Sequence, residues 1–142
     1  MKMTIILSSV NYLAVIVSAI AAMVLGALWY GPLFGKSWMS ASGMTDKKLK
    51  EMKSKGMGKS YVLNFISTLV MAYILALFVG ITGATTAMAG IALSFWIWLG
   101  FMATLTLGSV LWEGRSAKLY FLNNAYNLIS LAVMGAILAA WA

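Results

Sequence analysis

Residues 64–76 read NFISTLVMAYILA, and residues 127–139 read NLISLAVMGAILA. At a constant offset of 63, eight residues recur: Asn64/Asn127, Ile66/Ile129, Ser67/Ser130, Val70/Val133, Met71/Met134, Ile74/Ile137, Leu75/Leu138 and Ala76/Ala139. Placed at about 100° per residue, all of these pairs except Ala76/Ala139 fall on one half of a helix. Shared composition would scatter the matches around the helix, so the pattern reads as an internal duplication of an apolar helical segment.

Composition says where such a helix sits. The chain of 142 residues is 63% hydrophobic and 9% charged. An ordinary soluble domain is about 45–50% apolar and about 25% charged. A water-soluble fold of this length has too few polar groups to cover so much apolar surface, so the surrounding solvent is lipid. Four apolar stretches are long enough to cross about 30 Å of hydrocarbon, at about 5–30, 60–81, 87–112 and 119–141. None has a charge in its interior, and none alternates as a barrel strand does. The expectation is an all-α integral membrane protein. Residues 1–142 form one four-span domain, with a basic loop over 33–59.

The formal charge is +7, from ten Lys/Arg against three acids. Seven of the ten cations lie in the 24 residues from Lys36 to Lys59, between two apolar spans. That placement argues against nucleic acid and for anionic lipid headgroups, under the positive-inside rule. Nine of the ten cations fall in the two loops that follow spans one and three, and Lys2 is the exception. Both charged loops are therefore expected in the cytoplasm, and both termini outside a cell inner (plasma) membrane. Lys2 and Ala19-Ile20-Ala21 imitate a signal peptide, but the apolar run continues through Trp29, longer than an h-region, so a retained first span is expected.

Within the basic loop, Thr45-Asp46 marks a helix start. Leu49 and Met52 then sit three apart among Lys47, Lys48, Lys50, Lys53 and Lys55. This reads either as a short helix lying on lipid headgroups or as a solvated lysine loop. Just before it, Gly31 and Pro32 break span one, and Trp29, Tyr30, Phe34 and Trp38 gather at one level as an interfacial aromatic belt.

Small residues recur every four positions: Ser18, Ala22, Gly26; Ala72, Ala76, Gly80; Gly100, Thr104, Gly108; and Ala132, Ala136, Ala140. Such stripes let helix backbones approach in lipid, and together they predict a compact bundle that associates with copies of itself. The repeat extends weakly to Leu28-Trp29-Tyr30-Gly31 and Leu111-Trp112-Glu113-Gly114, which makes each unit a two-span hairpin. An even number of spans per unit predicts a pseudo-twofold axis along the membrane normal.

Several motifs taken together have a family counterpart. They are Trp29-Tyr30-Gly31-Pro32-Leu33-Phe34-Gly35 with Trp38-Met39, Val70-Met71-Ala72-Tyr73, Phe95-Trp96-Ile97-Trp98-Leu99-Gly100-Phe101, Glu113-Gly114-Arg115 and Gly135-Ala136-Ile137-Leu138. On these the chain resembles, over nearly its whole length, the small bacterial membrane proteins catalogued as domain of unknown function 1761. The resemblance implies a four-span membrane protein and implies no activity.

Candidate chemistry is sparse. With no Cys and no His, the chain lacks thiolate nucleophiles, imidazole bases and the usual zinc or haem ligands. An enzyme is not expected, nor a cofactor or metal. The polar residues of the spans are Asn64 and Ser67, their counterparts Asn127 and Ser130, and Asn123 and Asn124 one turn earlier. An unpartnered amide in hydrocarbon costs about 2–7 kcal/mol, so these should face inward. They either line a polar site shared by both repeats or hydrogen-bond one helix to another. Glu113 and Arg115 are expected to form an ion pair at the headgroup level. Phe95, Trp96, Trp98 and Phe101 read as packing or lipid contact, or as a cation–π site. Two functions follow: a non-enzymatic bundle that binds or passes a small solute, or an accessory subunit packed against another membrane protein. No span carries an acid, which separates the chain from small multidrug exporters.

Overall fold

The computed structural model describes residues 10–141. Lys2 and the start of the first apolar stretch, residues 5–9, lie outside the described residues. The protein is all-α, with four membrane-spanning helical segments at Tyr12–Leu33, Gly58–Thr82, Ala87–Leu111 and Ala117–Ala140. Span one is α1 (Tyr12–Leu28) closed by a π turn at Trp29–Leu33. Two short helices follow, α2 (Gly35–Ser42) and α3 (Asp46–Ser54). Span two is α4 (Gly58–Thr82). Span three is α5 (Ala87–Ile97), a π turn at Trp98–Ala103, and α6 (Thr104–Leu111). Span four is α7 (Ala117–Ala140).

Side-chain caps set several of the starts. Asn11, Thr45, Thr86 and Ser116 each accept a hydrogen bond from the backbone N–H three residues on, at 3.1, 3.2, 3.1 and 3.4 Å. Thr45 begins the basic helix at the place its sequence predicts. Span two ends where Gly83 turns left-handed, at φ 69°, a conformation that costs glycine nothing. Span one does not simply stop at Gly31-Pro32. Gly31 leaves helical geometry at φ −104°, ψ −107°, yet the chain keeps turning through Pro32 to Leu33.

Span four is the centre of the molecule. α7 packs against α1, α2, α4, α5, α6 and the second π turn, whereas α4 packs against α1 and α7. Accordingly, 33% of the apolar stretch of spans one and four is buried inside the molecule, against 17% for spans two and three. The core joins Ala14, Val15 and Ala22 of span one to Ala72 and Leu75 of span two and Met134 of span four. Under a twofold axis relating the hairpins, the contact of span one with span four would have a counterpart between spans two and three. The first contact is extensive and the second slight.

α5 and α7 approach each other backbone to backbone. A Cβ on Gly90 would overlap the Gly135 carbonyl, and one on Gly135 would overlap Ser94 Oγ and the Gly90 carbonyl. Ser94 Oγ lies 2.8 Å from Gly90 O in its own helix and 2.9 Å from Leu131 O across the interface, so it shares one proton between the two. Small residues thus bring the helices together, as a lipid solvent requires. On spans three and four the packed residues are Gly90, Ser94, Gly135 and Ala139. The stripe Gly100, Thr104, Gly108 points largely outward, and Ala140 is exposed. Ser18 and Ala22 of span one are buried as expected.

Part of the aromatic cluster after span one folds inward against span four, while Phe34 stays 37% exposed. Trp29 is 8% exposed, with ring centroids 4.5 Å from Phe34 and 6.2 Å from Tyr126 of α7. Tyr30 meets Trp38 at 6.1 Å and Tyr126 at 5.2 Å.

Candidate functional site

At the end of the bundle that carries the two charged loops, a cleft of about 760 Å³ opens between three walls. Span one and α2 contribute Tyr30 and Trp38. Span three contributes Leu105, Thr106, Ser109 and Trp112. Span four contributes Leu119, Tyr120, Asn123, Asn124 and Asn127, and Glu113, Arg115 and Ser116 of the connecting loop stand at the mouth.

The span-four wall comes from helical spacing. Tyr120, Asn123, Asn124 and Asn127 follow one another at i, i+3, i+4 and i+7, which stacks them on one side of α7. Asn123 and Asn124 are consecutive, so their side chains diverge by about 100° and reach different walls. Asn123 Oδ1 accepts a 2.7 Å hydrogen bond from the Tyr30 hydroxyl of span one. Asn124 donates to Thr106 Oγ1 of span three at 3.0 Å and to the Tyr120 carbonyl at 3.0 Å. The Trp98 indole N–H donates to the Asn124 carbonyl at 2.9 Å, and the Tyr120 hydroxyl donates to the Ala103 carbonyl at 2.7 Å. The Tyr126 hydroxyl donates to the Ala22 carbonyl at 3.0 Å. These bonds tie α7 to its neighbours and use up most of the hydroxyl protons.

What remains unspent is informative. Asn127 is half-buried in the cleft lining, and among the described residues its carboxamide has no hydrogen-bond partner. Asn123 accepts from Tyr30 but leaves its own amide N–H groups free among the described residues. Ser116 accepts from Leu119 N and keeps its hydroxyl proton. Glu113 Oε2 stands 3.3 Å from Arg115 Nε, both side chains 64% exposed. These are the charged groups of the lining, and they offset one another. The cleft therefore offers several donors, fewer acceptors, aromatic faces and no net charge.

The structure divides the six polar residues that the repeat groups together. Asn123, Asn124 and Asn127 share the cleft. Ser130 is buried further along α7, away from the cleft lining. Asn64 and Ser67 do not join them. Both lie on the exposed side of α4, where Asn64 Nδ2 reaches the Met23 sulfur at 3.2 Å. A polar interior lined by both repeats therefore does not form within one chain. The physical reason is the unequal packing: α4 sits at the margin of the bundle, with room inside for one side only. That side is taken by Ala72, Leu75 and Val79.

Lys47, Lys48, Lys50, Lys53 and Lys55 are all exposed on or beside α3, with Leu49 half-buried between them. Trp96 and Phe101, 66% and 70% exposed, turn away from the bundle while Trp98 turns in, so the span-three aromatics do not form a cage. Sequence reasoning passed over Tyr30, Thr106, Ser109, Ser116, Tyr120 and Tyr126 as site residues. The polar series from Tyr120 to Asn127 on an otherwise apolar helix is the signal that points to them.

No curated protein and no solved structure matches the chain. The family model described as protein of unknown function, DUF1761, matches residues 13–139. A match of that extent takes in the cleft and all but the outermost residues of the four spans, and the chain belongs to that family.

Proposed function

We propose that the protein is a non-enzymatic bundle of the inner (plasma) membrane that binds or passes a small solute through the cleft of Tyr30, Asn123 and Asn127. The carrying observation is the pair of amides with unspent hydrogen-bonding groups in a cleft of about 760 Å³. Polar groups placed in the membrane are normally satisfied by protein, and those left free mark a place for water or a ligand. With the charged loops in the cytoplasm, the cleft opens inward and α3 rests its lysines on anionic headgroups.

The chain contains no cysteine, so a single introduced thiol reports cleanly. In Asn127→Cys, a membrane-impermeant maleimide should label the protein in inside-out vesicles and leave it unlabelled in intact spheroplasts. Labelling from neither side would sink the cleft as a water-accessible site, and labelling from outside alone would reverse the orientation.

A second reading draws on Asn64 and Ser67. In this reading the chain associates through the outward side of α4, with another copy or with a different membrane protein. Their exposure in a lipid-facing helix supports it, since a partner would supply hydrogen bonds to the Ser67 hydroxyl and the Asn64 side-chain carbonyl, which have none among the described residues. Oxidation of Ser67→Cys in native membranes should then trap a cross-linked dimer; a monomer that resists cross-linking counts against a second copy at this face.

A further inference from the structure

We infer that the cleft receives a zwitterionic phosphate–ammonium head, carried by a membrane phospholipid; this rests on the solute-binding reading and names the class of solute. Three features point the same way. The first is the charge pattern at the mouth. The Glu113–Arg115 pair uses one carboxylate oxygen and Nε, which leaves the other oxygen and the terminal guanidinium nitrogens free. A side-by-side pair of opposite charges is complementary to a zwitterion laid against it in the opposite sense. The phosphate faces Arg115 and the Ser116 hydroxyl, and the ammonium faces Glu113 and the rings of Trp38 and Trp112. A ligand with net charge finds no unpaired counter-charge in this lining.

The second feature is depth. Glu113 and Arg115 stand two and four residues past Leu111, the last residue of span three, where the chain leaves the membrane on this reading. Asn123 lies about 10 Å further in along α7, at a rise of about 1.5 Å per residue, deeper than a headgroup layer of about 5–7 Å. The cleft therefore runs on from its charged mouth past the length of a free head, along the path that a lipid's glycerol and chains take. The third feature is the outer wall. Leu105 and Trp112 line the cleft yet are 80% and 88% exposed, so on this side the cleft meets acyl chains through apolar groups. A soluble solute needs a closed wall there; a lipid needs an open one.

The test uses the purified full chain in detergent and native mass spectrometry. The probes are dihexanoyl phosphatidylethanolamine, dihexanoyl phosphatidylcholine, dihexanoyl phosphatidylglycerol and free phosphoethanolamine. The expected result is retention of the two zwitterionic lipids over phosphatidylglycerol. Glu113→Gln and Arg115→Gln should each weaken retention about fivefold, the size expected of an exposed charge contact. Thr85→Gln, in the turn at the other end of the bundle, should leave it unchanged. Both charge variants alter exposed side chains, and far-UV circular dichroism confirms that they fold. Equal or stronger retention of phosphatidylglycerol, or indifference to Glu113→Gln and Arg115→Gln, overturns the assignment. If Asn127→Cys is still labelled from water in that case, the cleft reading survives and only the ligand class falls. Free phosphoethanolamine competing as well as the dihexanoyl lipid overturns the lipid as the carrier of the head.

Discussion

Residues 64–76 and 127–139 share eight letters and live in different surroundings. Leu75 and its counterpart Leu138 are both buried, at 3% and 4% exposure. Met71 is 38% exposed, while Met134 is completely enclosed. Asn64 and Ser67 face outward; Asn127 lines a cleft and Ser130 is buried. The local sequence is nearly the same, so the difference comes from neighbours. α7 has helices on several sides, and α4 has them on one. A helix in lipid has no hydrophobic reason to choose which apolar face turns inward. That choice is made by close packing and hydrogen bonds, and only span four has the partners for both.

Four substitutions test how far that difference goes. Gly135→Ala should do the most harm, because its Cβ meets backbone as well as a side chain. A loss of about 3 kcal/mol is expected in unfolding by sodium dodecyl sulfate followed by circular dichroism. The counterpart of Gly135 in span two is Ala72, which already holds a methyl group in a buried site; Ala72→Gly should cost about 1 kcal/mol, chiefly in helix propensity. Equal losses would mean that the two helices are packed alike after all. Met134→Ala should cost about 2 kcal/mol by the cavity it leaves, and Met71→Ala should stay within about 0.5 kcal/mol in the same titration.

The amides give smaller effects. Asn124→Leu removes bonds to Thr106 and to the Tyr120 carbonyl and should cost about 1 kcal/mol, within the range measured for hydrogen bonds between membrane helices. Asn64→Leu should leave a monomer in detergent unchanged within about 0.5 kcal/mol. A larger loss in native membranes than in detergent would show that Asn64 has a partner outside the chain.

The four spans were plain in the sequence because length and unbroken apolarity are nearly all a membrane crossing needs. The inward faces were not, and span three shows why. Its inward contacts run Gly90, Ser94, Trp98, Ala103, Thr106. The step from Trp98 to Ala103 is five residues instead of three or four, and it coincides with the π turn. An uninterrupted α-helix would have carried Phe101 and Leu105 inward, and they are 70% and 80% exposed. No residue in WLGFMA announces a π turn, so the stripe Gly100, Thr104, Gly108 looked as good as Gly90 and Ser94. The cleft was half legible for a similar reason. The amides of span four stood out against their apolar background, whereas Thr106 and Tyr30 reach them through two π turns that sequence periodicity does not register. The Glu113–Arg115 pair needed no long-range information, being two residues apart on one loop.

The π turn at Trp98–Ala103 also bears on how such a cleft arises and disappears. A one-codon deletion within the turn would shorten the step from Trp98 to Ala103 to four residues, and ordinary winding would then keep Ala103 and Thr106 turned toward α7. Ordinary winding with no deletion would instead swing everything after the turn by about 100°. Thr106 would then leave Asn124, and bulky Phe101 or Leu105 would enter in place of Ala103. The extra residue of the turn is thus what keeps both halves of span three in register with span four, and single-residue deletions across residues 98–103 are the changes of length that the binding space should survive.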